Sequence, residues 1–319
     1  MTRARPIVIV GLPRSGTTWT MRALGSAAGS VTVLEPDNED KQPAAIHAKR
    51  KIGRYPVLHP GDEAPAYRQL WEWTFAGASE GRRSMLARRL LGPGFVDRIH
   101  EGRMDPVTWL AGALARLPYP TAPAGDGLNG GRLVVKSIHA ELSVEWLAAA
   151  FDVDVLLLLR HPANVLASWL DVHLKDARNS TLEHRPEIRT HYLEPWDVPL
   201  PGPDPVERMS WRIGLLVAAT EETLARHPNW SVRTHEQLCG DPIREFQQLY
   251  GELGLEWGRS SAEFLETHDA PGSGFAIHRV ASEVSDSWRK RLDDRQLATL
   301  RKVLGWFPIT MWSDRDFER

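Results

Sequence analysis

Ile7-Val8-Ile9-Val10-Gly11-Leu12-Pro13-Arg14-Ser15-Gly16-Thr17-Thr18-Trp19 is the stretch that decides the fold. Ile7–Val10 is β-branched and unbroken by polar residues, which predicts a strand buried on both faces of a parallel sheet. Gly11 to Thr18 follows as a loop, and Trp19 to Ala28 reads as a helix stopped near Gly29. A strand, a tight loop and a helix start aim backbone N–H groups and the positive helix end at one point. That is a ready anion site.

The same alternation extends outward. Val31–Leu34, Arg132–Lys136, Val153–Leu159 and Trp230–Arg233 are strand candidates. Ser143–Phe151, Pro162–Val172, Pro205–Arg226 and Pro242–Leu253 read as helices, with another near 293–304. Strands alternating with helices predict an α/β fold: a three-layer domain around a central, mostly parallel sheet. Between residues 36 and 131 the pattern is helical, around 64–75, 79–91 and 105–117, with a Gly/Pro/Ala-rich stretch at 121–131. Sheet-forming segments lie on both sides, so this block reads as a helical cap inserted into one domain spanning 1–319.

Composition narrows the function. The 319 residues are 42% hydrophobic and 25% charged, an ordinary globular balance. With 39 basic and 41 acidic residues, the chain is no bulk-charge binder of nucleic acid, so any anion site is a local device. One cysteine, Cys239, cannot form an internal disulfide, which fits a reducing, cytoplasmic setting. The longest aliphatic run is the five residues Val155–Leu159, far short of the ~20 needed to span a bilayer, and no signal peptide is recognised. The four arginines within 82–89 could bind an anionic acceptor or make peripheral contact with a membrane surface, although such a run is commonly the wet face of a helix.

The glycine spacing of the loop is that of the nucleotide-binding P-loop, G-x-x-x-x-G-K-[ST], with Thr17 at the lysine position. Thr18 keeps the hydroxyl, and Arg14 supplies a cation inside the loop. Gly11–Trp19 resembles the 5′-phosphosulfate-binding loop of sulfotransferases that use 3′-phosphoadenosine 5′-phosphosulfate, of form P-[KR]-S-G-T-T. A second segment, Leu156-Leu157-Leu158-Leu159-Arg160-His161-Pro162-Ala163-Asn164-Val165-Leu166-Ala167-Ser168, resembles that family's 3′-phosphate motif, an arginine at a strand end and a serine eight residues on. Arginine forks onto phosphate oxygens and the hydroxyl adds a donor. Leu133–Ser137, the Val232–Leu238 segment with Asp241-Pro242, and Arg279 with Trp288-Arg289 match further family segments more loosely.

The resemblance implies a P-loop-like fold and transfer of a sulfuryl group to the hydroxyl of a small-molecule, glycan or glycolipid acceptor, with no metal. Cofactor binding falls to Arg14, Ser15, Gly16, Thr17, Thr18, Trp19, Arg160, Ser168 and Arg279, Trp19 stacking on the adenine. Arg14 and Lys136 would stabilise charge on the leaving phosphate. Two residues compete as general base. Glu35, followed by Pro36, resembles the E-P of the carbohydrate branch. His139 lies one residue beyond the position of the cytosolic branch's histidine, which here is Ile138. A small-molecule kinase or a non-catalytic nucleotide-binding protein is the alternative, the missing loop lysine counting against the first. Trp71, Trp73, Trp109, Trp169 and Trp196 are expected in or beside the acceptor walls, and Cys239 in a loop without a histidine partner. Oligomeric state and acceptor identity have no signature.

Overall fold

The computed structural model describes residues 4–77, 132–172, 182–268 and 286–318. A five-stranded, all-parallel sheet forms the centre, with helices flanking it. Its strands are β1 (Ile7–Val10), β2 (Val31–Leu34), β3 (Leu133–Ser137), β4 (Asp154–Leu159) and β5 (Ser231–Thr234), in the order β2-β3-β1-β4-β5. Burial tracks that order. Every residue of β1 and β3, and all of β4 but its first, is buried, whereas β2 and β5 are not fully covered. The uninterrupted aliphatic runs are thus the inner strands, and the runs carrying Thr32 or Ser231 and Arg233 are the edges.

The chain forms two compact units, one of Met1–Ile9 with Gly29–Asp154, the other of Val10–Ala28 with Val155–Arg319. In the first, β2 pairs parallel with β3, Val31 opposite Leu133 and Leu34 opposite Lys136. In the second, β4 pairs parallel with β5, Leu156 opposite Ser231 and Leu159 opposite Thr234.

The helices, in chain order, are α1 (Thr17–Leu24), α2 (Pro43–Lys49), α3 (Pro65–Phe75), α4 (Val144–Ala150), α5 (Pro162–Asp171), α6 (Pro205–Arg226), α7 (His235–Gly240) and α8 (Pro242–Glu252). Then come α9 (Arg259–His268), α10 (Trp288–Arg291) and α11 (Asp294–Leu304). Helix α1 starts two residues earlier than expected, because Gly16 takes the left-handed N-cap conformation at φ 90°. Helix α6 has the bounds the sequence predicts. Asp204 caps it, accepting from the amides of Val206 and Glu207 at 2.8 and 3.0 Å, with Pro205 at its first position.

Helix α7 corrects the expectation of a loop around Cys239. Thr234 and Gln237 form a reciprocal capping box, and the T-x-x-Q spacing carried that signal. Cys239 falls one turn after His235, its sulfur 3.7 Å from the imidazole Nε2, so it has a histidine neighbour. Of the expected cap, 36–77 carries α2 and α3, and 78–131 lies outside the described residues. Trp71 and Trp169 are fully buried core residues, not wall residues, while Trp73 and Trp196 are partly covered. No described helix is long and apolar enough to cross a membrane.

Candidate functional site

The anion loop is shaped by glycines at each end. A Cβ on Gly11 would overlap the carbonyl oxygen of Leu158 in β4, and one on Gly16 would overlap the His235 ring. Between them Arg14 also takes a left-handed backbone, φ 74°, without being glycine. Such a residue costs on the order of 1–3 kcal/mol and persists only when its surroundings hold it.

Here the second motif holds it. The Arg160 guanidinium donates from Nη1 to the Arg14 carbonyl at 2.6 Å. Arg14 in turn donates from Nε to Ser168 Oγ at 3.0 Å. Trp169, the next residue, donates its indole N–H to the Pro13 carbonyl at 2.8 Å. Within the loop, the Ser15 amide donates to the Leu12 carbonyl at 3.0 Å. Arg160 and Ser168 of the second motif, and Trp169 just after it, are therefore fastened to the first. The sequence marked Arg14, Arg160 and Ser168 separately, and the structure brings them together.

Among the described residues there, Ser15 Oγ is buried without a hydrogen-bond partner, and Arg160 Nε makes no hydrogen bond but lies 3.9 Å from Glu236 Oε1. Buried polar groups are nearly always satisfied, so an orphaned hydroxyl beside a helix N-terminus fits an anion's oxygens. Gly16, Thr17 and Thr18 lie where the first amides of α1 have no intrahelical acceptor. Burial lowers the Arg160 pKa to about 10, with Glu236 opposing, so the guanidinium keeps its charge at neutral pH. Trp19 is partly exposed and meets His235 and Phe246 edge-on, with centroids 5.8 and 5.1 Å away. Arg279 lies outside the described residues, and Trp288 is buried, stacked on His161 at 5.6 Å.

The other unit holds a charge cluster. Glu35 ends β2 with φ 50°, and its amide donates to the Lys136 carbonyl at 2.7 Å, extending the β2–β3 ladder by one bond. Its Oε1 is paired with the Lys136 ammonium. Its Oε2 pairs with Lys41 at 2.7 Å and accepts from Asn38 Nδ2 at 2.6 Å. Burial would raise the Glu35 pKa, but Lys136 and then Lys41 outweigh it and hold it at about 2. Burial pushes the Lys136 pKa down, opposed by Glu35.

His139 sits in a different group. It is 1% exposed, with Nδ1 3.1 Å from Lys49 Nζ and 3.4 Å from Glu39 Oε2. Its Nε2 accepts from Arg54 Nε at 3.3 Å, and Tyr55 packs edge-on at 4.7 Å between centroids. Burial, reinforced by Lys49, lowers its pKa to about 3, so the imidazole is neutral. Between the two groups, Asp37 accepts from Ser137 Oγ at 2.8 Å and from Tyr67 at 3.0 Å, and burial raises its pKa. Sequence reading missed Lys41, Asn38, Glu39, Lys49 and Arg54. Only the acidic run Glu35–Asp40 with flanking Lys41 hinted at them, and alone it reads as a solvated strand end.

Residues 6–199 match a protein-family model described as the sulfotransferase family. A search of curated proteins returned no match. Among solved structures, the sulfotransferase domain from the curacin biosynthetic pathway is similar at 12% identity and TM-score 0.49, over 95% of this chain and 98% of that one. A Mycobacterium tuberculosis sulfotransferase gives 17% identity and TM-score 0.41, over 90% and 77%. Retinol dehydratase in complex with androsterone and inactive cofactor PAP gives 14% and 0.38, over 96% and 81%.

Proposed function

Because the chain belongs to the sulfotransferase family, we propose that it moves a sulfuryl group from 3′-phosphoadenosine 5′-phosphosulfate to the hydroxyl of a small-molecule, glycan or glycolipid acceptor. The observation that carries the choice of donor is the fastening of Arg14 by Arg160 and Ser168, with the buried Ser15 hydroxyl free of a hydrogen-bond partner in the same loop. A donor with two separated phosphate groups uses both motifs. The loop amides of Ser15 to Thr18 and Arg14 take the 5′-phosphosulfate. Arg160 and Ser168 take the 3′-phosphate, Arg279 adds a cofactor contact, and Trp19 takes the adenine.

In the transfer, the acceptor oxygen attacks sulfur and the bond from sulfur to the bridging oxygen breaks. That oxygen leaves with the electron pair as 3′-phosphoadenosine 5′-phosphate. Preorganised donors stabilise the charge that grows there, which is the role of Arg14, the loop amides and Lys136. The acceptor proton goes to a general base. Glu35 is the first choice, with His139 second. A neutral imidazole can accept a proton, but His139 is enclosed by Lys49 and Arg54. The single-domain reading assigns the acceptor walls to the cap at 36–131 and to the 173–205 stretch, and a single cysteine fits a cytoplasmic enzyme.

Thermal unfolding with added nucleotides tests the donor. 3′-Phosphoadenosine 5′-phosphate should raise the Tm by mass action, and ATP should not. A rise with ATP alone would transfer the protein to the kinase class. A mass-shift screen of cell extract with the sulfate donor then seeks the product that gains one sulfate.

A further inference from the structure

The segment that follows β2 carries four carboxylates, of which Asp37 is held by the hydroxyls of Ser137 and Tyr67 and the other three by cations. Asp40 is met by Arg54, and Glu39 by Lys49 at 2.9 Å. Glu35 alone among these three holds two lysines, Lys136 on one oxygen and Lys41 on the other. The two differ in access. The Lys136 and Glu35 side chains are each 4% exposed, while that of Lys41 is 39% exposed. Of the two lysines on Glu35, the one that reaches solvent is therefore Lys41.

Lys41 is also free to swing without disturbing the fold. Its backbone is pinned, since the amides of Lys41 and Gln42 both donate to the Asn38 carbonyl, at 3.0 and 2.7 Å. Only the side chain would move. A lysine is a compact charge on a flexible stem, suited to changing partners. Lys136, by contrast, stands on the buried strand β3 with its side chain 4% exposed. While Lys41 stays in place, both Glu35 oxygens face cations, and a carboxylate so paired is a weak proton acceptor.

We propose that Lys41 reads an anionic group, a carboxylate or phosphate, carried by the acceptor beside its hydroxyl, and that in turning to it Lys41 releases Glu35 to act as base. This rests on Glu35 being the base. It makes Lys41 a positioning and specificity residue, and the acceptor an anionic hydroxyl compound. Neutral alcohols leave Lys41 on Glu35 and turn over slowly.

The probe is inorganic phosphate, titrated calorimetrically into the protein saturated with 3′-phosphoadenosine 5′-phosphate. Wild type should bind it about tenfold more tightly than Lys41→Gln, the loss expected for one charged hydrogen bond. Lys41→Arg should restore the binding. Equal affinity in wild type and Lys41→Gln overturns the proposal, as does phosphate that only displaces the nucleotide. A second readout is the carboxyl NMR titration of Glu35, which should move upward both in Lys41→Gln and in wild type saturated with phosphate. An unmoved titration also overturns it. Failure of the nucleotide to bind would sink the donor assignment instead. The phosphate comparison, run without nucleotide, would still decide the role of Lys41.

Discussion

The anion loop and the Glu35 cluster solve the same problem, holding charge inside a protein, by opposite means. In the loop, the fixed element is backbone. Gly11 and Gly16 permit close approach, Arg14 is bent into a left-handed turn, and Arg160 bonds the Arg14 carbonyl through Nη1. In the cluster, the fixed element is charge against charge, with Lys136 and Lys41 on one carboxylate. Backbone donors cannot change partners, so the loop is suited to grip. An ion pair with a solvent-exposed member, as Lys41 is on Glu35, can trade that partner, which is what the proposed base at Glu35 requires.

Substitutions can break that contrast. The largest effect is expected from Glu35→Gln. It should lower kcat by about 10²-fold or more, the range for a lost general base, while nucleotide affinity stays the same. Near-normal turnover would remove Glu35 from the mechanism. Next comes Arg160→Met, which deletes a grip on both the loop and the 3′-phosphate. Affinity for 3′-phosphoadenosine 5′-phosphate should fall about 10- to 100-fold, in line with losing charged hydrogen bonds. Titration calorimetry checks this against adenosine 5′-phosphate, whose weaker binding should change less. If Arg160→Met cut kcat and spared binding, the assignment of grip to one region and proton transfer to the other would collapse.

The smallest effect is on stability against pH. The His139 pKa stands at about 3 in the fold against an ordinary 6.5. As pH falls from 6.5 towards 3, the unfolded chain therefore takes up a proton that the fold refuses, and stability falls. Glu35, at about 2 against 4.5, has the same sign over a lower window: its contribution is present above 4.5 and lost as pH falls towards 2. His161 in the other unit, lowered by burial to about 4, adds to the upper window. Denaturant melts at pH 6.5, 5.5 and 4.5 should show His139→Asn with a shallower acid slope than wild type. The difference is bounded by one proton, about 1.4 kcal/mol per pH unit. An unchanged slope would mean that His139 is not held neutral by its neighbours.

Legibility in the sequence differed in the same way between the regions. The loop was legible because its signal is local: two glycines five apart between a β-branched run and a helix. The Arg160–Ser168 pair was legible because strand end and helix fix the spacing within one segment. Neither segment reveals that Arg160 bonds the Arg14 carbonyl 146 residues away. The Glu35–Lys136 pair spans 101 residues and depends on β2 lying beside β3. The tryptophans show the limit from the other side. Trp169 looked like a wall residue from its place near a loop, yet it is buried with its N–H on Pro13.

By itself the sequence determined the class of fold, the order of its strands and of most of its longer helices, and the glycine-bounded loop between β1 and α1. Hydrophobic period and glycine position are local properties of a chain, readable without knowing what packs on what. Only tertiary structure decided which strands are inner, what restrains Arg14, and that two lysines rather than one face Glu35. Those depend on groups distant in sequence meeting in a medium of low polarity. There, burial and pairing set the charge state together, and no single segment contains both terms.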